Sequence, residues 1–117
     1  MRIIITGGRT YTDTTTIRQT LAEYHQNPPP VLVCGDAPGA DREAATVAAY
    51  LLGWRVERHP AQWDRHGRAA GPIRNQHMAD LGADLVLAFP GGRGTAHMVR
   101  CAQRAGIPIR RITGRTG

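Results

Sequence analysis

The sequence predicts an α/β domain: a three-layer, Rossmann-like, doubly wound parallel sheet of about five strands in the order 3-2-1-4-5. Three observations carry that prediction. Short apolar runs at Ile3-Ile4-Ile5, Val31-Leu32-Val33-Cys34 and Leu85-Val86-Leu87-Ala88-Phe89 are continuous rather than alternating, as in strands covered by helices on both faces. Each run ends in a glycine-containing turn, and each turn leads into a segment of helical period. Apolar residues make up 41% of the chain but aromatics only 5%, a balance suited to close helix-on-sheet packing.

Length and composition narrow the class. With 117 residues, a single domain over residues 1–117 is expected, because two cores could not both be sustained. No apolar run approaches the roughly 18 to 20 residues that cross a bilayer. Met1 to Gly7 shows no apolar stretch followed by a cleavage site, so a cytoplasmic protein without membrane contact is expected. Cys34 and Cys101 fall in apolar stretches without metal-ligand spacing and read as buried free thiols. No metal site and no cofactor are predicted. The 15 basic residues against 9 acidic ones give a net charge of +6, which favours anionic partners or a solvated arginine surface.

The first strand, Arg2 to Thr6, closes in Gly7-Gly8-Arg9. Thr12-Asp13-Thr14 supplies cap residues for a helix over about 13–26, with Ile17, Leu21 and Tyr24 on one face and Pro28-Pro29-Pro30 forbidding continuation. The second strand, Val31 to Cys34, runs into Gly35-Asp36-Ala37-Pro38-Gly39-Ala40-Asp41. Ala44, Val47, Ala48, Leu51 and Leu52 then mark a helix that Gly53 ends before a short third strand at about 54–58. Pro60 to Gly71 lacks periodicity and reads as a long loop, of the kind that often carries function. Pro72 suits the first position of a helix reaching Leu81, and Asp84 to Phe89 is the fourth strand. A last helix beginning at Thr95, with Met98, Val99, Ala102 and Ala105 inward, stops at Gly106 before a strand from Ile107 to Ile112.

In this order the chain reverses between the first and fourth strands, and the loops after them splay apart to leave a ligand crevice. Those are the two most glycine-rich loops, Gly7-Gly8-Arg9 and Gly91-Gly92-Arg93-Gly94-Thr95. Glycine lets backbone N–H groups approach a phosphate, and a helix starting at Thr95 adds its positive end. Arg9 and Arg93 add bidentate cations, and the Thr95 hydroxyl either binds phosphate or caps the helix. The Gly35 to Arg42 loop lies beside the first in the sheet, so Asp36 or Asp41 can accept ribose hydroxyls or act as a base; each also reads as a helix cap or helix-dipole partner.

Arg74 and Asn75 fall in the predicted first turn after Gly71-Pro72, where side chains and free N–H groups can meet an anion together. In the preceding loop Trp63, His66 and Arg68 can stack on or flank a base, Trp63 alternatively closing over the sheet edge. His77 and His97 read as lone, partly exposed histidines. Neither G-x-G-x-x-G nor G-x-x-x-x-G-K-[ST] is present, which argues against hydride transfer and NTP hydrolysis, and no Ser-His-Asp order or paired carboxylate appears.

Four ordered motifs carry a resemblance: Thr6-Gly7-Gly8-Arg9; Gly35 with Gly39-Ala40-Asp41-Arg42; Trp63 and Gly67 with Ala70-Gly71-Pro72-Ile73-Arg74-Asn75; and Phe89-Pro90-Gly91-Gly92-Arg93-Gly94-Thr95. Together they resemble the YspA-like, cpYpsA-related branch of the SLOG superfamily. The resemblance implies a Rossmann-like fold that binds nucleotides or nucleotide-derived ligands, and it implies a homo-oligomer. Related families include the Lonely Guy phosphoribohydrolases, which cleave the base from nucleoside monophosphates, and the DprA proteins, which bind single-stranded DNA. The phosphoribohydrolases continue their glycine motif as P-G-G-x-G-T-x-x-E with a catalytic glutamate. The corresponding residue is Met98, which moves the reading from an enzyme toward a ligand binder or sensor unless Asp36 or Asp41 substitutes.

Three functions follow for test: a nucleotide-ligand module built on Thr6, Gly7, Gly8, Arg9, Gly35, Gly39, Arg74, Asn75 and the 91–95 loop, an N-glycosidic hydrolase using Asp36 or Asp41, and a single-stranded nucleic-acid binder. The last ranks lowest, because aromatic and basic residues do not interleave.

Overall fold

The computed structural model describes residues 1–113. β1 (Arg2–Thr6), β2 (Val31–Cys34), β3 (Arg55–Arg58), β4 (Leu85–Ala88) and β5 (Ile109–Arg111) form one sheet in the order β3-β2-β1-β4-β5. All four pairings are parallel. Ile3 of β1 lies between Leu32 and Leu85, and Ile5 between Cys34 and Leu87. The α/β class and the predicted strand order both hold.

The sheet divides the core in two, and the two-residue period of the strands decides which side each residue joins. Ile3, Ile5, Leu32, Leu87 and Phe89 pack with Ile17 and Leu21 of α1 (Thr14–Ala22) and with Ala40, Ala44 and Ala45 of α2 (Ala40–Thr46). Ile4, Val33 and Val86 face the other way, onto Met78 and Ala79 of α4 (Ala70–Leu81) and Met98, Cys101 and Ala102 of α5 (Arg93–Arg104). Both faces of the inner strands are therefore apolar, which is why those runs show no alternation. Cys34 and Cys101 are buried free thiols, and burial pushes the Cys34 thiol up to about 11.

Several boundaries differ from the sequence reading. α1 stops at Ala22 rather than near residue 26, and single turns carry the chain through Tyr24 and His25. α2 begins directly after Gly39 and runs into a wider π-type turn over Val47–Leu51, closed by a bond from Leu52 N to Val47 O. That turn buries Val47 and Ala48 while leaving Tyr50 and Leu51 outside. Trp54 precedes β3 and is core, its indole donating to His25 Nδ1 at 2.9 Å.

The 60–71 segment is not a structureless loop. It holds α3 (Trp63–His66) and a 3₁₀ turn at Gly67–Ala69 that leads directly into α4. α4 therefore begins at Ala70, and Pro72 occupies its third position, where a missing N–H still costs no intrahelical bond. α5 begins at Arg93, two residues before Thr95. β4 and β5 are each shorter than their apolar runs.

Candidate functional site

A cleft of 660 Å3 opens at the carboxyl ends of β1 and β4, where the sheet order reverses. The loop after β1 contributes Thr6, Gly7, Gly8 and Arg9, and the amino end of α5 contributes Gly92, Arg93, Gly94 and Thr95. Asp41 enters from α2, Trp63 from α3, and Arg74 and Asn75 from α4. Residues that the sequence scatters over almost ninety positions thus meet at one switch point.

The loops lock together through glycine. Gly8 N donates to Pro90 O at 2.8 Å, and Gly8 O accepts from Ala40 N at 3.1 Å and Tyr11 N at 3.2 Å. Gly39, at φ +80°, approaches so closely that a Cβ would strike the carbonyl oxygens of Gly8 and Arg9. A Cβ on Gly91 would strike the Thr95 hydroxyl and Gly8 N, and one on Gly35 would enter the Arg74 guanidinium. Gly35, Gly39 and Gly91 do not line the cleft; they set the separation of the loops that do. The Gly8 N–H is spent on Pro90, and the missing Cβ faces Pro90 O and the Gly91 Cα, so Gly8 lines the cleft without giving it a backbone donor.

The free donors lie at α5. Its first intrahelical bond runs from Ala96 N to Gly92 O at 3.0 Å, and Gly92 provides no side-chain cap. The N–H groups of Arg93, Gly94 and Thr95 thus precede the helical ladder, at the positive end of a 12-residue helix. Thr95 is the third helical residue and not the cap, which removes the capping alternative for its hydroxyl.

Arg74 and Asn75 are in the second turn of α4, not the first, because the helix starts two residues early. They act through side chains instead. Arg74 Nη1 donates to Gly35 O at 2.6 Å and to His59 O at 3.3 Å, while its Nε donates to Asn75 Oδ1 at 2.9 Å. Asn75 is buried and passes the chain on: its amide nitrogen lies 3.4 Å from Gly94 O and 3.2 Å from His97 Nδ1. One guanidinium thus ties the β2 and β3 exits, through Asn75, to the amino end of α5, with its Nη2 unengaged among the described residues.

His97, read from the sequence as lone, stands on the cleft wall. Burial and the neighbouring Arg100 and Arg104 lower its pKa, so it is a neutral imidazole at neutral pH that accepts from Asn75. Arg100 lines the same wall. Nothing in the local sequence marks this pair, since the contact arises only when α4 packs on α5.

The two candidate acids separate. Asp41 is 6% exposed and lines the cleft; its Oδ2 accepts from Gly35 N at 2.9 Å and Ala37 N at 3.3 Å. Burial pushes its carboxyl up to about 6, against the two N–H groups and Arg74. Asp36 is excluded. It adopts φ 57°, turns outward and pairs through Oδ1 with Arg58 at 2.9 Å and Arg42 at 3.7 Å, outside the cleft. Met98 is fully buried in the α4–α5 core and does not line the cleft either.

Trp63 is half exposed at the rim, with the Arg9 guanidinium 5.8 Å from its ring centre. His66 and Arg68 do not join the cleft. Of the basic residues near the carboxyl end, Arg110 pairs with Glu23 and the Tyr24 hydroxyl, and Arg115 lies outside the described residues. Among the described residues no group of three or more His, Cys, Asp or Glu side chains is placed to hold a metal ion, and no helix is long and apolar enough to cross a membrane.

Two comparisons bear on this geometry. The Gene 61 protein of Mycobacterium phage D29 is 47% identical over 116 residues, covering 92% of this chain and 93% of that protein. The model of the YspA, cpYpsA-related SLOG family matches residues 1–66, which contain the β1 glycine turn, the Gly35–Asp41 loop and Trp63. Fold, cleft and sequence agree, and the chain belongs to the YspA, cpYpsA-related SLOG family.

Proposed function

We propose that the chain binds a nucleotide or nucleotide-derived ligand in the 660 Å3 cleft, as a sensing or ligand-processing module. Family membership relates it to nucleotide-linked function. The observation that carries the finer reading is the uncapped amino end of α5, opening into a cleft that Arg9, Arg74, Arg93 and Arg100 line with one carboxylate, Asp41. A phosphate group seats on the N–H groups of Arg93 to Thr95, with Arg93 supplying charge. Trp63 and Arg9 flank a base at the rim, and Asp41 accepts a ribose hydroxyl.

A hydrolytic reading draws on a single feature. Asp41 titrates within reach of neutrality inside the cleft, as a general acid or base requires. It stands without a second carboxylate among the lining residues, so hydrolysis is the second reading.

The test is a thermal-shift screen against nucleoside mono- and diphosphates, cyclic nucleotides and NAD-derived ligands, followed by mass spectrometry of each mixture. Stabilisation that grows with ligand concentration, with ligand recovered intact and the shift lost in Arg93→Ala, is the expected result. Failure of every ligand to shift the transition overturns the proposal. Released base or ribose phosphate, abolished by Asp41→Asn, replaces it with the hydrolase.

A further inference from the structure

A second groove, of 430 Å3, shares one residue with the first cleft, Arg74. One wall is a single face of α4, where Ala70, Ile73, Arg74 and His77 recur at helical spacing, extended by His66 of α3. The other wall is the chain leaving β3, including Arg58, His59 and Gln62.

Three features of the groove point the same way. It is lined by three imidazoles, two guanidinium groups and an amide, and by no carboxylate. Two acids beside it are engaged: Glu57 accepts from Arg2 through both oxygens at 2.8 Å and lies 2.7 Å from His59 Nε2, and Asp36 accepts from Arg58 Nη1 at 2.9 Å, which leaves Arg58 Nη2, Arg74 Nη2, His66 and His77 as the unspent donors of the groove among the described residues. Ala70 and Ile73 give the groove an apolar stretch, and Ile73 is 47% exposed there. The His59 and His77 rings meet edge to face at 5.4 Å, and His66 lines the same groove.

We propose that this groove is a second ligand site, taking a small molecule that joins an oxyanion, most simply a phosphate, to a planar or apolar body. The oxyanion meets the Arg58, Arg74 and histidine donors, and the body lies on Ile73 and Ala70. The site is separate from the nucleotide cleft in every lining residue but Arg74, so either can fail without the other.

The test is a titration of protein labelled with 13C at histidine, following the ring resonances of the five histidines with phenyl phosphate, inorganic phosphate and sodium chloride as probes. Saturating shifts of His66 and His77 are expected with phenyl phosphate, at severalfold lower concentration than with inorganic phosphate and absent with chloride. Ile73→Glu, a change at an exposed position, should weaken phenyl phosphate at least tenfold while the His97 response to a nucleotide is retained. His66→Ala, measured on His77, should also weaken it severalfold. Non-saturating shifts, equal shifts with chloride, or undiminished binding in both variants would overturn the proposal. Loss of the His97 response in the unmodified protein would count only against the nucleotide cleft.

Discussion

Asp41 shows how one side chain can serve the loop and the cleft at once. Its Oδ2 satisfies two loop N–H groups, yet the site is dry enough to hold the carboxyl near 6 instead of its ordinary 3.8. A raised carboxyl pKa means the folded state binds the proton more tightly. This contribution to stability is full below about 4 and is lost as pH rises through about 6, by on the order of 3 kcal/mol. Glu57 acts oppositely: Arg2 and His59 hold it down to about 2, so its contribution is present above 4.5 and lost only as pH falls toward that value. Between pH 5 and pH 7 the Asp41 component stands apart from that of Glu57. In Asp41→Asn, which keeps an acceptor oxygen, the melting temperature should fall less over that interval than in the parent. Parallel pH profiles for the two proteins would contradict the assignment. The sequence made Asp41 visible through its place after a glycine turn, but could not separate it from Asp36, because only the backbone at φ 57° turns Asp36 toward Arg58.

Among elements, the glycine turns do two different jobs that look alike in sequence. Gly39 holds a left-handed conformation beneath two carbonyl oxygens, whereas Gly92 has negative φ and open space where a Cβ would stand. Gly39→Ala should destabilise by more than about 2 kcal/mol and weaken ligand response by pushing the β1 loop out of place. Gly92→Ala should cost no more than about 1 kcal/mol, the preference of an N-cap position for glycine over alanine. Chemical denaturation of the pair checks the contrast. The strand-glycine-helix alternation was legible because buried parallel strands leave continuous apolar runs. α3 was not, since four residues carry no period, and Pro72 misled about the start of α4 because proline, though favoured at the first helical position, is also tolerated at the third, whose N–H has no intrahelical partner. The Arg74–Asn75–His97 chain was legible only in part. Its third member lies 22 residues from the second and joins it through helix packing alone.

For the molecule as a whole, the two core clusters share the strands of one sheet, so neither face can melt while the other stays folded. Ile17→Ala on one face and Met78→Ala on the other should each cost about 2–4 kcal/mol, and in both the far- and near-ultraviolet signals should change in one coincident transition. Separate transitions for the two faces would show that the layers are held more loosely than the shared strands imply. The arginine excess, read from composition as a sign of anionic partners, proves to have several addresses: cleft, groove and sheet margins.

Those margins have a consequence of their own. Among the described residues the five-stranded sheet is open, with β3 and β5 at its edges, and such borders invite other chains to add on as further strands. Here β3 sets Arg55 and Arg58 at one border, and β5 sets Arg110 and Arg111 at the other, each border fully charged at every physiological pH. Arg58 and Arg110 are ion-paired with Asp36 and Glu23, so it is Arg55 and Arg111 that would meet an added strand as unpaired charges among the described residues. Charge on edge strands disfavours such addition, so Arg55 and Arg111, which belong to neither pocket, give the basic excess a use apart from ligand binding.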